Sequence, residues 1–216
     1  GLERFQNYIA GEFVDAPDGR TFGSLDPYAG APWAAIPEGS PDDIDHAVAA
    51  ARTALDGEWG AMTGFQRAAL MHKLADLITA NAERLARVEV RDNGKLYREM
   101  IGQLQGLGAW YRYFAGHADK IEGRVIPTDK PNYFVFTRRE PVGVVGAITP
   151  WNSPLLLMTF KLAPGLAAGC TFVVKPSEHS PASTLAFAQV LHEAGFPDGV
   201  FNVVAGSSRE LGAALA

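Results

Sequence analysis

The sequence contains a single cysteine, Cys170, among its 216 residues. One thiol cannot form an internal disulfide, and such sparing use of cysteine is typical of proteins in a reducing compartment. Hydrophobic residues make up 47% of the chain, which is enough apolar material for a sizeable core without disulfides or metals. We therefore expect a cytoplasmic protein whose fold depends on that core.

Basic clusters and long apolar runs are also missing. The 19 Lys and Arg residues are outnumbered by 24 Asp and Glu residues, and the densest basic spot is only the pair Arg138-Arg139. A nucleic-acid-binding surface needs a larger basic patch. The longest apolar stretch, around residues 155–168, is interrupted by Lys161 and Pro164 and is too short to span a bilayer. We expect neither nucleic acid nor a membrane as a partner.

Several familiar catalytic motifs are absent. The five histidines are scattered without metal-ligand spacing, so we expect no metal site. No G-x-S-x-G indicates a serine hydrolase, and Gly143 and Gly146 do not make the G-x-G-x-x-G dinucleotide fingerprint. Cys170 precedes an apolar strand at its amino end, and a buried thiol in apolar surroundings is inert. We therefore do not expect Cys170 to be a nucleophile.

The predicted elements change in type along the chain. Capping residues and apolar spacing predict four helices in the first half. Their predicted starts are Ser40-Pro41, Thr63, Asn81 and Met100. Residues 8–14 indicate a hairpin, 26–30 a turn, and 125–127 and 133–137 extended segments. From residue 142 onward strands alternate with helices, which predicts an α/β fold with a parallel sheet. The predicted strands are 142–149, 171–175 and 200–204, and three strands alone would leave an unprotected edge.

Two of these strands end abruptly in polar residues. The first is Gly143-Val-Val-Gly-Ala-Ile-Thr-Pro-Trp-Asn152, and the second is Val173-Val-Lys-Pro-Ser-Glu178. In open α/β sheets, ligands bind beyond the carboxyl ends of the strands. We therefore expect Asn152, Lys175 and Glu178 to contribute to one ligand-binding crevice.

Spacing alone leaves alternative roles for these residues. Asn152 suits a helix cap, or its amide could donate to an oxyanion. Lys175 could reach solvent or pair with Glu178, or the two could share the hydroxyls of a ribose. A carboxylate there would repel a 2′-phosphate, which favours NAD over NADP. Gly206-Ser-Ser208 could bind a pyrophosphate at a helix N-terminus.

In combination, these motifs resemble the aldehyde dehydrogenase superfamily. The similar segments run through almost the whole chain: 8–13, 113–116, 140–152, 161–169, 174–178 and 195–204. The resemblance implies a Rossmann-like nucleotide-binding domain with N-terminal helices, lacking the usual glycine fingerprint, and part of a β oligomerisation arm. Residues 1–120 and 141–216 would form an incomplete NAD-binding domain and 121–140 an arm segment. The catalytic domain would be absent.

The resemblance also implies roles for individual residues. Asn152 would stabilise the oxyanion of a thiohemiacetal, and Lys175 and Glu178 would hold the adenosine ribose. The remaining implied cofactor contacts are Ile148, Thr149, Pro150 and Trp151 on the nicotinamide side and Ser177, Gly206 and Arg209 near the adenosine half.

The implied activity is NAD-dependent oxidation of an aldehyde to a carboxylic acid by a homodimeric or homotetrameric parent enzyme. The nucleophilic cysteine and the glutamate base belong to the second half of the family's sequence, which this chain does not reach. Ser153 stands where many members carry an aromatic, so no preference for aryl or alkyl substrates is predicted. The alternatives are a truncated, non-catalytic relative that binds nucleotide or supplies an oligomerisation surface, and a reductase or isomerase on a generic doubly wound fold.

Overall fold

A computed structural model describes all 216 residues. Its central element is a five-stranded sheet in the order β3-β2-β10-β9-β8. As predicted, β8 (Val144–Thr149), β9 (Thr171–Pro176) and β10 (Phe201–Val203) are parallel to one another. The predicted extent of the sheet is wrong, because β2 (Asn7–Ile9) and β3 (Glu12–Val14) extend it beyond β10. The N-terminal hairpin thus covers one of the two edges that three strands would expose.

A buried asparagine fixes this hairpin to the sheet. Asn202 on β10 accepts a hydrogen bond from the Ala10 N–H at 2.9 Å. Its amide nitrogen donates to the carbonyl oxygens of Phe172 at 3.0 Å and Gly199 at 2.8 Å. Both amide donors and the amide oxygen of this buried side chain therefore have partners inside the protein. Ala10 lies 192 residues from Asn202 in the sequence, which is why the spacing of residues did not predict that the hairpin joins this sheet.

Two smaller sheets complete the strands. The first has the order β1-β5-β4, formed by Glu3–Arg4, Ala31–Pro37 and Thr21–Asp26. The predicted turn at 26–30 connects β4 and β5, but these two strands were not predicted. The second sheet pairs β6 (Arg124–Ile126) with β7 (Val135–Thr137), in agreement with the predicted extended segments.

Eight helices surround the main sheet. They are α1 (Pro41–Asp56), α2 (Glu58–Ala61), α3 (Gly64–Ala80), α4 (Ala82–Asn93), α5 (Tyr97–Ala115), α6 (Pro154–Ala168), α7 (Ala182–Ala194) and α8 (Arg209–Leu215). Ser40 and Thr63 cap α1 and α3 as predicted, each in a reciprocal capping box with the third helical residue. None of the helices combines the length and the apolar character needed to cross a bilayer.

The sheet is covered on both faces. Helices α6 and α7 pack on one face, with α3, α4 and α5 behind them, whereas α1 and α8 pack on the other. Alternate side chains of β9 pack into hydrophobic clusters on opposite faces of the sheet. Phe172 and Val174 belong to the larger cluster, and Val173 belongs to the smaller cluster around Ile44 of α1. A strand buried on both faces has the continuous apolar sequence that predicted it. Only its carboxyl end is free to present polar groups.

Candidate functional site

The carboxyl ends of β8 and β9 lie side by side at one edge of the sheet. Ile148 is in register with Lys175 and Thr149 with Pro176, and the Ser177 N–H donates to the Thr149 carbonyl at 3.0 Å. The segments that carry Asn152 and Glu178 continue from these neighbouring strand ends. The structure therefore confirms that the predicted polar residues emerge at the same edge.

The side chain of Asn152 does not cap the following helix. Ser153, not Asn152, occupies the N-cap position of α6. Asn152 is exposed, and only its backbone carbonyl takes part in a hydrogen bond. The interpretation of Asn152 as a helix cap is therefore wrong, and its amide is free to donate to a ligand.

By contrast, the backbone around Asn152 is held at successive residues. We call residues 150–154 the Asn152 loop. Ser180 Oγ donates to the Trp151 carbonyl at 2.8 Å, and Asn93 Nδ2 donates to the Asn152 carbonyl at 3.4 Å. Lys95 Nζ donates to Ser153 Oγ at 2.6 Å. A fixed loop that carries a free amide is the arrangement expected of a preorganised hydrogen-bond donor.

Lys175 is buried at the end of β9 and has donors to spare. It is 7% exposed, and its ammonium makes one hydrogen bond, to the Pro176 carbonyl at 3.3 Å. No ion pair joins it to Glu178, whose carboxylate instead lies 3.9 Å from Nε2 of His179. Of the alternatives for Lys175, an ion pair with Glu178 is therefore wrong. An ammonium has three donors, so a ligand rich in oxygen acceptors would offset the penalty of burying this charge.

The strand end also offers apolar surface beside an unsatisfied hydroxyl. Ile148 is 52% exposed, although it lies between the buried residues Ala147 and Thr149, and Trp151 is 56% exposed. Thr149 is buried, and its hydroxyl oxygen has no hydrogen-bond partner. Buried polar groups without partners are rare in native proteins, so the Thr149 hydroxyl indicates where a polar group of a ligand could bind. The exposed side chains of Ile148 and Trp151 could pack against a flat ring of a dinucleotide. Pro150 lies between them and is half-buried.

The turn after β10 is already occupied by a carboxylate from within the chain. Glu38 Oε1 accepts from the Ser207 N–H at 2.8 Å, and Oε2 accepts from the Ser207 hydroxyl at 2.7 Å. The Ser208 N–H points to the same carboxylate at 3.3 Å. These amides are therefore not free for a pyrophosphate. The placement of Gly206 and Arg209 near an adenosine stays a prediction.

Two buried acids lie beneath the Asn152 loop and had not been assigned a role. Asp92 accepts hydrogen bonds from Ser24 Oγ at 2.7 Å, Trp33 Nε1 at 3.1 Å and the Ala182 N–H at 2.7 Å. Burial raises the pKa of Asp92 to about 6, even though these hydrogen bonds lower it. A single carboxylate thus joins β4, β5, α4 and α7.

Glu89 is the more perturbed of the two acids. It is 0% exposed and neither carboxyl oxygen has a well-formed hydrogen bond. Burial raises its pKa to about 8, against the opposing effects of Lys95, the Leu155 N–H and the Ser183 hydroxyl. The sequence did contain a signal, because Glu89 follows Leu85 on the apolar face of the predicted helix. An acid on the apolar face of a helix either reaches solvent through a local distortion of the helix or is buried, and burial favours its protonated form.

Cys170 lies at the opposite end of β9 from Lys175. It is buried, and its carbonyl, like that of Gly169, faces the indole N–H of Trp59. The only thiol of the chain is thus remote from the strand-end site.

Residues 13–216 match the sequence model of the aldehyde dehydrogenase family. This chain belongs to the aldehyde dehydrogenase family. It is 49% identical over 215 residues to (Z)-2-((N-methylformamido)methylene)-5-hydroxybutyrolactone dehydrogenase of Acinetobacter baylyi, which covers 99% of this chain and 44% of that enzyme. It is 46% identical over 211 residues to aldehyde dehydrogenase family 2 member C4 of Arabidopsis thaliana, with 97% and 42% covered.

Solved aldehyde dehydrogenase structures share the fold. The NAD+ complex of aldehyde dehydrogenase from Bacillus cereus superposes with a TM-score of 0.95 at 46% identity, covering 99% of this chain and 44% of that chain. The Rossmann-like α/β architecture implied by the resemblance is confirmed. The chain spans less than half the length of these relatives.

Proposed function

We propose that this chain supplies the cofactor-binding part of an NAD-dependent aldehyde dehydrogenase, which oxidises an aldehyde to a carboxylic acid. Family membership and the NAD+ complex of a close structural neighbour support the proposal. The observation that carries it is local: the free amide of Asn152 stands on a fixed loop, at the same sheet edge as the buried ammonium of Lys175.

The strand ends would hold the dinucleotide, which when bound supplies a hydride acceptor. Lys175 donates to the ribose hydroxyls, and Glu178 accepts from them. Because the Glu178 carboxylate is half-exposed and has only a distant partner in His179, it is free for this role. It would also repel a 2′-phosphate, which favours NAD over NADP.

The other cofactor contacts are assigned from the family resemblance. Ile148, Thr149, Pro150 and Trp151 line the nicotinamide side. Ser177, Gly206 and Arg209 lie on the adenosine side. Trp151 and Ile148 expose enough apolar surface to pack against a flat ring, and the unpartnered Thr149 hydroxyl can donate to a polar group of the cofactor.

Asn152 would act on the substrate. When a thiolate adds to the aldehyde carbon, the carbonyl oxygen gains negative charge, and the Asn152 NH2 donates to it. The thiolate and the base that activates the hydrolytic water would come from the second half of the family's sequence. Cys170 does not serve, because it is buried at the far end of β9.

Residues 121–140 would form part of an oligomerisation arm in a cytoplasmic homodimer or homotetramer. The two-stranded sheet β6-β7 exposes Tyr133, Phe134 and Phe136, together with Val125. Exposed apolar side chains concentrated on one small sheet are typical of a surface that another subunit covers.

The test is Asn152→Ala in the complete enzyme. We expect kcat to fall by about 10² to 10³, the usual effect of removing one oxyanion donor, with the dissociation constant for NAD unchanged. Gln189→Ala is the matched control and should be neutral, because it removes an exposed amide on α7 that accepts a hydrogen bond only from Arg84 at the surface. An unchanged kcat, measured where chemistry limits the rate, would remove Asn152 from the mechanism. The alternative of a non-catalytic relative would be favoured if the complete protein bound NAD but oxidised no aldehyde.

A further inference from the structure

The residues of the Asn152 loop are held by side chains from outside the strand-end site, through both backbone and side-chain atoms. The most direct of these contacts is the 2.6 Å hydrogen bond from Lys95 Nζ to Ser153 Oγ. We propose that Lys95 is a positioning residue, which aims the Asn152 amide at the substrate oxygen by holding the adjacent Ser153. The proposal rests on the proposed role of Asn152 as oxyanion donor.

Lys95 belongs to a rigid turn that contacts two consecutive residues of the loop. Gly94 ends α4 in the left-handed conformation with φ 71°, which glycine adopts without strain. The turn is closed by the Lys95 N–H, which donates to Asn93 Oδ1 at 3.0 Å. Nδ2 of the same Asn93 donates to the Asn152 carbonyl. One turn thus holds the carbonyl of Asn152 and the hydroxyl of Ser153 together.

The Ser153 hydroxyl gives up its usual local role for this contact. Serine at an N-cap normally accepts a hydrogen bond from the first turn of its helix, but the Ser153 side chain makes no such bond. Its oxygen accepts from Lys95 instead and lies 3.5 Å from Gln103 Oε1. Residues that depart from a local structural preference are concentrated at functional sites. The uncapped N-terminus of α6 therefore supports a role of Ser153 in positioning Asn152.

The contact is strong enough for this task. It is charge-assisted, and such hydrogen bonds are shorter and stronger than neutral ones. Ser153 is buried and Lys95 is half-buried, so water screens the contact poorly. No carboxylate forms a salt bridge with Lys95, although the buried Glu89 lies close enough to feel its charge. Ser153 Oγ is therefore the atom to which the Lys95 ammonium donates a hydrogen bond.

A displaced donor would weaken transition-state binding without altering the cofactor site. A misplacement of about 1 Å can cost up to a hundredfold in rate. In the complete enzyme, we expect Lys95→Met to lower kcat by about ten- to a hundredfold, with the NAD dissociation constant within about twofold of the native value. Lys120→Met is the matched control, since Lys120 pairs only with the neighbouring Asp119 at the surface, and it should leave kcat unchanged.

A double-variant cycle separates positioning from a general structural role. If Lys95 acts through Asn152, then Lys95→Met should have less than about a twofold effect in the Asn152→Ala background, because coupled residues are not additive. Ser153→Ala, which removes only the hydroxyl oxygen at a buried site, should reproduce the loss and should not add to Lys95→Met. Lys95→Arg should retain much of the native kcat, because guanidinium can also donate to Ser153.

Three results would overturn the proposal. The first is a native kcat for Lys95→Met. The second is a loss of kcat on Lys95→Met that is as large in the Asn152→Ala background as in the native enzyme. The third is a native kcat for Ser153→Ala. An enzyme that oxidises aldehydes and loses rate on Asn152→Ala, yet ignores Lys95→Met, would refute the positioning role alone. A native enzyme without aldehyde oxidation would refute the proposed function first.

Discussion

Glu89 makes the folding stability of this protein depend on pH in an unusual direction. In the folded chain its pKa rises from 4.5 to about 8 because burial disfavours the ionised form. In the unfolded chain it ionises at its ordinary value. Between these two pH values the folded state therefore binds more protons at this site than the unfolded state, and the free energy of unfolding falls as pH rises.

The size of the effect follows from the same linkage. Each pH unit within that window costs roughly 1.4 kcal/mol of stability. Glu89→Gln keeps the shape of the neutral acid but cannot ionise. Relative to the native chain, the free energy of unfolding of the variant should therefore rise by roughly 2 to 3 kcal/mol between pH 6 and pH 8. The cost of burying the amide in the variant Glu89→Gln is the same at both pH values, so it does not contribute to this change.

Urea denaturation followed by tryptophan fluorescence, on native and variant proteins at pH 6 and pH 8, measures this quantity. The other titratable groups are present in both proteins, so their contributions to this difference cancel to first order. Glu83→Gln on the same helix is the control, since Glu83 is exposed and paired with Arg87, and it should show no such gain. If Glu89→Gln and the native protein lost stability in parallel between the two pH values, Glu89 would be ionised in the folded state and the reasoning would fail.

Two stability predictions concern helices that position the site. Ser40→Ala should lower the free energy of unfolding by about 1 kcal/mol, because it removes the bond that the Ser40 hydroxyl accepts from the Asp43 N–H and the bond that it donates to the Asp43 carboxylate; urea denaturation that shows no loss would contradict this. Gly165→Ala should destabilise by about 1 to 3 kcal/mol, because its methyl group would lie 2.3 Å from the buried ring of Phe172. Adding Phe172→Leu should recover part of that loss, and a stabilised single variant would show that α6 can move away from β9.

The sequence predicted the parallel strands and the polar residues at their neighbouring carboxyl ends well, because both depend on local patterns. A strand buried on both faces must be continuously apolar, so Lys175 stands out at the end of β9. The capping boxes at Ser40 and Thr63 are equally local. Family resemblance added the roles, and it was right about the architecture, because the combined motifs extend over most of the chain.

Long-range pairings were not predictable in the same way. The hairpin at β2 and β3 docks on β10 through Asn202, whose partners lie up to 192 residues away. The turn at 206–208 reads as an anion site from its glycine and serines alone, yet Glu38 supplies the anion from 169 residues away. A pattern of residues shows that donors exist, whereas only the fold shows whether an internal acceptor has already taken them.

The same limit explains why the helix-cap interpretation of Asn152 was reasonable and still wrong. Asparagine before Ser-Pro satisfies the local rule for an N-cap, but the chain places Ser153 there and then binds its hydroxyl to Lys95. Two potential caps, Asn152 and Ser153, therefore precede one helix, and neither side chain caps it. A side-chain cap normally stabilises a helix, so leaving both residues out of that role costs stability. That cost is an argument that the Asn152 and Ser153 side chains have another role, at the proposed substrate site.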